Sequence, residues 1–185
     1  MVIYKEHVRW TKDFVKNNIH IIEKNYKLHP YRNRWNCNVH AVYDNDTENV
    51  YRIDYTFLRK EYEKIAAKVT KKFGIKKYWL TEIWYNYYKK GQFQEPHQHL
   101  GSDNRGAPGG LTAVHYLIFD PKYHSQTLFT DPNIKPLNAR CGDIVFFKDD
   151  VMHYVPENES DKPRLTIAFT ICTDVHDEKG VRRLL

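Results

Sequence analysis

Only three cysteines occur in the chain, Cys37, Cys141 and Cys172, an odd number without regular spacing. Such a set does not make a disulfide framework, and it points to a reducing interior and a cytoplasmic protein. No apolar run approaches the roughly 18 residues that a membrane span requires. The first residues lack the apolar core of a secretory signal. A soluble protein with no membrane partner is therefore expected. Internal repeats and low-complexity tracts are absent too, which excludes a repeat architecture.

What is present is compact in kind. The 185 residues suit one domain and can bury a proper core. Formal net charge is +6 and the pI is about 9.1. This balance favours anionic partners in general and selects none. Aromatic residues make up 15% of the chain, with 14 tyrosines. That argues against disorder and for aromatic-rich β structure.

Along the chain, Met1–Tyr4 reads as a short edge strand. Thr11 is placed to cap a helix running to about Tyr26, with an apolar stripe of Val15, Ile19, Ile22 and Tyr26 widened by Phe14 and Ile21. Leu28–Asn38 is irregular, Val39–Tyr43 a short strand, and Asp44-Asn45-Asp46 a turn. A second helix spans about Tyr55–Phe73 and stops at Gly74. Its apolar face is Leu58, Tyr62, Ile65, Ala66, Val69 and Phe73. Lys60, Lys64, Lys68, Lys71 and Lys72 form its other face, which reads as the solvated side of an amphipathic helix.

From Lys77 the pattern changes to β. Strands are expected at Tyr78–Tyr88, Leu111–Phe119, Ser125–Phe129, Asp143–Lys148, Met152–Val155 and Arg164–Cys172. Turn residues between them suggest an antiparallel sandwich or barrel. The single domain divides into helical and irregular support (1–76), a β core (77–174) and a tail (175–185). Leu100–Gly110, rich in glycine, reads as a flexible loop.

The candidate chemistry sits at Tyr88–His99. Of ten histidines, only His97 and His99 stand two residues apart, so on an extended backbone both imidazoles face one point. His153 follows downstream beside another strand. Neutral imidazole suits Fe, Zn, Cu and Ni. His7, His20, His29, His40, His124 and His176 lie in helical, loop or tail settings and read as surface residues. His115 falls out of phase with Tyr116 and is assigned to the opposite face as a satisfied buried histidine.

On the last strand, Arg164 and Thr166 share a face with Ala168 and Thr170, while Leu165, Ile167, Phe169 and Ile171 occupy the other. An arginine on such a strand either pairs with a carboxylate of the protein or receives a ligand carboxylate through its planar fork.

The segment Tyr88-Lys-Lys-Gly-Gln-Phe-Gln-Glu-Pro-His97-Gln-His99 resembles the first metal motif of the prolyl 4-hydroxylase-like Fe(II)/2-oxoglutarate oxygenases. Gly110–Phe119 with Tyr116-Leu117 is similar to their following strand. Pro136-Leu-Asn-Ala-Arg-Cys-Gly142-Asp143-Ile-Val-Phe-Phe, His153 and Arg164-Leu-Thr166 resemble the distal half, in the family's order. The resemblance covers about Tyr78–Thr173. It implies a mainly β fold with flanking helices, a double-stranded β-helix or jelly roll. It implies Fe(II) as metal, 2-oxoglutarate and dioxygen as co-substrates, and hydroxylation of an unidentified peptide or small molecule. The far carboxylate of 2-oxoglutarate would pair with Arg164, with Thr166 and Tyr116 as hydrogen-bond donors and Tyr88 lining the pocket. The chain departs from the family at one ligand. Where two histidines and a carboxylate are usual, His99 occupies the carboxylate position. Either His97, His99 and His153 form a three-histidine site, or Asp103 in the neighbouring loop supplies the acid.

Two other classes remain open. One is a jelly-roll metal- or ligand-binding protein without oxygenase turnover. The other is a basic nucleic-acid-binding domain with incidental histidines, which would bind polyanions with a steep salt slope and ignore Fe(II).

Overall fold

The computed structural model describes residues 2–33, 37–99, 110–135 and 138–173. The chain folds into strands β1 (Val2–His7), β2 (His40–Tyr43), β3 (Tyr78–Tyr88), β4 (Gln94–His97), β5 (Leu111–Ile118), β6 (Leu128–Phe129), β7 (Asp143–Lys148), β8 (His153–Val155) and β9 (Arg164–Thr173), with helices α1 (Thr11–Leu28) and α2 (Tyr55–Lys72). Six strands form one antiparallel sheet in the order β1-β7-β5-β9-β3-β2, and β4-β8-β6 form a second. This is a mainly β jelly roll with two flanking helices, as the resemblance implies. The N-terminal strands β1 and β2 close the two edges of the large sheet. Among the described residues no helix is long and apolar enough to cross a membrane.

Strand periodicity sorts the two faces of the large sheet. Ile83, Tyr85 and Tyr87 of β3 and Leu165, Ile167, Phe169 and Ile171 of β9 pack with Phe14, Ile22, Leu58, Tyr62 and Val69 of the helices in one core. The alternate residues turn toward the small sheet. Tyr62 stacks on Phe169 at 4.2 Å between ring centroids and 19° between planes, fixing α2 against β9. Asp54 caps α2 by accepting from the Phe57 N–H at 2.9 Å. Gly74 ends it at φ +70, a conformation that suits glycine. Lys64 pairs with Glu61 and Lys68 with Glu6, so ion pairs interrupt the lysine face of α2.

Several expectations are corrected. Trp10, not Thr11, occupies the cap position of α1. The Thr11 hydroxyl faces His115 instead, at 2.9 Å. The buried stripe of α1 is Thr11, Phe14, Asn18, Ile22 and Asn25, rotated from the apolar one. Asn18 and Asn25 enter it because they hold neighbouring backbone. Asn18 accepts from the Asp54 N–H at 3.0 Å, and Asn25 brackets Tyr51 by accepting from its N–H and donating to its carbonyl, both at 2.8 Å. The third expected β-run shrinks to Leu128–Phe129, since the Thr127 N–H bonds the Tyr116 hydroxyl rather than a strand partner. Residues 94–97 gain a strand of their own. His40 and His124 are buried rather than on the surface. His40 is held between the His29 carbonyl and the Tyr85 hydroxyl, and His124 between the Asp120 N–H and the Lys162 carbonyl. His176 lies outside the described residues.

His115 takes its expected place on the helix side, fully buried. The Tyr62 hydroxyl donates to Nδ1 at 2.9 Å, and Nε2–H donates to Thr11, which donates to the Val8 carbonyl. Burial, aided by His7, depresses its pKa to about 3. The unfolded chain, titrating near 6.5, therefore binds the proton first. The contribution of His115 to stability is complete above pH 6.5 and is lost as pH falls toward about 3, by about 1.4 kcal/mol per pH unit. In urea titrations between pH 4 and 7, His115→Gln is expected to flatten the pH dependence by one proton relative to the parent. An unchanged slope would contradict the neutral assignment.

Candidate metal centre

At the end of β3 the chain turns through Lys89–Phe93. Gly91 there has φ +82 and donates its N–H to the Asn158 carbonyl at 2.9 Å. The turn carries the chain from the large sheet to the small one, where His97 of β4 lies directly opposite His153 of β8. His99 follows, its N–H bonded to the Asp149 carbonyl at 2.9 Å. Strand register thus brings together two histidines that are 56 residues apart, and one main-chain bond sets the third beside them.

The three rings converge. Centroids lie 4.2 Å apart for His97 and His153, 5.0 Å for His99 and His153, and 5.1 Å for His97 and His99. One nitrogen from each lies within 4.8 Å of the others. The Nε2 atoms of His99 and His153 are 3.2 Å apart. Metal–nitrogen bonds of about 2.1 Å at tetrahedral or octahedral angles put ligand nitrogens about 3.0–3.4 Å apart, so that pair stands at coordination spacing. His97 Nδ1–H donates to the Glu95 carbonyl at 2.7 Å and His153 Nδ1–H to the Val151 carbonyl at 2.9 Å. Each bond fixes the tautomer that leaves Nε2 with its lone pair. Burial lowers all three pKa values. His153 falls to about 3 by burial and the nearby His97, His99 goes well below the ordinary value, and His97 is lowered against the pull of the Glu95 carbonyl. The cluster is neutral at pH 7 and competent to bind a cation.

The opposite wall comes from β3, β5 and β9. Trp84, Asn86 and Tyr88 pair across the sheet with Ala168, Thr166 and Arg164, and all six line one cavity with the histidines. About 10 Å³ is free at its centre, room for one water molecule, so a larger ligand must part the side chains around it. Arg164 is 1% exposed, and none of its three guanidinium nitrogens meets an acceptor. Its Cζ lies 4.6 Å from the Tyr88 ring centroid and 5.6 Å from that of Tyr116. The Tyr88 hydroxyl donates to Gln94 at 2.9 Å, which sets the ring against the guanidinium. Burial pushes the Tyr88 phenol up to about 12, with the Arg164 charge opposing. Tyr116 pairs with Thr166, and its hydroxyl accepts the Thr127 N–H at 3.0 Å, which leaves its own proton to donate. Among the described residues no carboxylate pairs with Arg164. An isolated buried cation costs several kcal/mol, which a bound anion would offset.

His97, His99, His153, Arg164, Thr166 and Tyr88 therefore meet in one place, while Tyr116, its ring 5.6 Å from the Arg164 guanidinium, is not part of the cavity lining. Asp103 lies outside the described residues. Trp84 and Asn86 were missed by the sequence reading. The signal for them was their phase, four and two residues before Tyr88 on one strand.

No family model matches the chain, and no curated protein sequence matches it. Solved structures do. A viral collagen prolyl hydroxylase from Paramecium Bursaria Chlorella virus-1, in its 2-oxoglutarate complex, aligns with TM-score 0.58 and 17% identity over 91% of this chain and 95% of that one. A prolyl-4-hydroxylase of Pseudomonas putida aligns with TM-score 0.61 and 13% identity over 92% of each chain. HygX of Streptomyces hygroscopicus, with nickel and 2-oxoglutarate bound, gives 0.61 and 13% over 91% of this chain and 82% of its own. The fold is that of the prolyl 4-hydroxylase-like oxygenases. The likeness covers about nine-tenths of this chain, and at these identities it concerns architecture.

One contact at the rim generates a prediction. Asp149 accepts the Gly110 N–H on Oδ2 at 3.0 Å, and its own N–H donates to the Gly110 carbonyl at 3.2 Å. A Cβ on Gly110 would stand 2.7 Å from the Ile171 carbonyl oxygen and 2.9 Å from Asp149 Oδ2. Gly110→Ala is expected to cost about 1–3 kcal/mol in chemical denaturation. A variant of parental stability would show that the backbone here yields freely.

Proposed function

We propose that this chain is an Fe(II)/2-oxoglutarate-dependent dioxygenase, a hydroxylase acting on a C–H bond of an unidentified substrate. The observation that carries the reading is Arg164, a buried cation that stacks on tyrosine but has no carboxylate partner among the described residues, facing a cavity that three neutral imidazoles close from the other side. The chemistry of the donor set fits the implied group. Three nitrogen ligands suit Fe(II), and the planar fork of arginine suits a carboxylate. His97, His99 and His153 would hold the iron. Arg164 would take the far carboxylate of 2-oxoglutarate, with Thr166 and Tyr116 donating hydrogen bonds and Tyr88 covering the guanidinium. Bound iron and 2-oxoglutarate supply the reduction of dioxygen, with loss of CO2, that oxidises the substrate. The protein would orient the co-substrate from the Arg164–Tyr88 rung toward the histidines and shield it from water.

Three neutral ligands leave the ion its full double charge, one unit more than a site with a carboxylate. A dianionic co-substrate would meet a more positive centre, and Arg164 adds to it. The narrow cavity favours, as a second reading, a protein that binds metal and ligand without turnover. Conversion of 2-oxoglutarate to succinate separates the two.

Two sets of variants test the assignment. His153→Ala should abolish metal binding in calorimetry while the circular dichroism spectrum is kept, and undiminished affinity would remove His153 from the ligand set. His99→Ala should lose iron and 2-oxoglutarate decarboxylation, whereas Asp103→Ala should keep both. The reverse pattern would make Asp103 the third ligand. Arg164→Lys should weaken 2-oxoglutarate binding at least about tenfold, since an ammonium cannot reproduce the bidentate fork. If it loses stability and keeps co-substrate affinity, Arg164 is structural.

A further inference from the structure

Three side chains that line the cavity carry buried polar atoms without a partner among the described residues: Arg164, the Trp84 indole N–H and Asn86 Oδ1. All three are at least nine-tenths buried, with Arg164 1%, Trp84 2% and Asn86 4% exposed. Buried donors and acceptors in native proteins are almost always satisfied, and each one left bare carries a desolvation cost. Arg164 is accounted for by a carboxylate. Asn86 Oδ1 is not, since deprotonated 2-oxoglutarate has only acceptor atoms and no hydrogen to give it. The Trp84 N–H is a donor one rung further on.

The two residues stand two apart on β3, hence on one face of the strand. Asn86 is opposite Thr166 and Trp84 opposite Ala168, so Trp84 lies one rung further from Arg164. The indole is fixed in place. It stacks on Tyr43 at 5.3 Å and 17° on one side and meets the His99 ring at 5.3 Å on the other. Ala168 across the rung packs with the indole in a small apolar cluster that includes Ala41 and Tyr43. A rigid donor and an acceptor one strand step apart, beside the candidate metal ligands, match a group that presents an acceptor and a donor together.

We propose that Trp84 and Asn86 form the substrate-recognition edge of this site and that the primary substrate presents a secondary amide to it. Its carbonyl accepts from Trp84 Nε1–H, and its N–H donates to Asn86 Oδ1. This assignment deepens the oxygenase reading and rests on it for the chemistry that follows binding. The recognition itself does not depend on turnover.

The test uses the full chain loaded with diamagnetic Zn(II) and 2-oxoglutarate, with 15N-labelled indoles. The chain has four tryptophans, and the Trp84 resonance is the one lost in Trp84→Phe. N-methylacetamide should move that resonance saturably. N,N-dimethylacetamide, which has no N–H, should bind at least about tenfold more weakly, and acetate should leave the resonance in place. In Asn86→Leu the preference for the N–H amide should fall below about twofold, with 2-oxoglutarate affinity by calorimetry within about twofold of the parent. Tighter binding of N-acetylglycine N-methylamide than of N-methylacetamide would assign the amide to a peptide, and equal binding would assign it to a small molecule. An unmoved indole at saturating amide, equal binding of the dimethyl probe, or an equal shift caused by acetate would overturn the proposal. If 2-oxoglutarate does not bind and the amide still moves the Trp84 resonance, the oxygenase reading falls and the recognition edge stands.

Discussion

The alternation of side chains along β3 and β9 is the constraint on which the rest depends. These strands run antiparallel at the heart of the large sheet, in register from Ile83 opposite Phe169 to Tyr88 opposite Arg164. Their odd-numbered residues lie under the helices in the main core. With that face committed to apolar packing, the even-numbered ones must face the small sheet. A slip of one residue would bury Asn86, Thr166 and Arg164 among Leu58, Tyr62 and Phe146. The hydrophobic effect that seats the helices therefore also aims the polar row at the histidines.

Much of this was legible because the signals have short periods. The alternation of β9, the phase of His115 and the stop of α2 at Gly74 all follow from neighbours in sequence. The near pair His97 and His99 was visible for the same reason. What was not legible depends on contacts across the fold. Asn18 and Asn25 sit in the buried stripe of α1 because of the backbone at Asp54 and Tyr51, which no helical periodicity contains. His40 and His124 are interior because distant carbonyls receive their ring protons. The strand at residues 94–97 is invisible in its own composition, with glutamine, glutamate and proline in it. It forms because β8 pairs with it.

Histidine does two different jobs in the interior. His115 and His40, the latter depressed to about 4 by burial, have both ring nitrogens in hydrogen bonds to the protein, and each joins elements of the core. In His97 and His153 a main-chain carbonyl takes one nitrogen and the other is presented to the cluster. Burial keeps all of them neutral, so burial alone does not separate a structural imidazole from a ligand. The distinguishing feature is where the second nitrogen points.

Asp149 has a consequence of another kind. Its main-chain carbonyl holds the His99 N–H while its carboxylate and N–H hold Gly110, so one residue ties the backbone of a candidate ligand to the residue that opens β5. The carbonyl bond survives any change of side chain, whereas the carboxylate bond to Gly110 does not. The residue that follows β7 therefore keeps the ligand with its backbone and the neighbouring strand with its side chain, and mutation can alter the second task without touching the first.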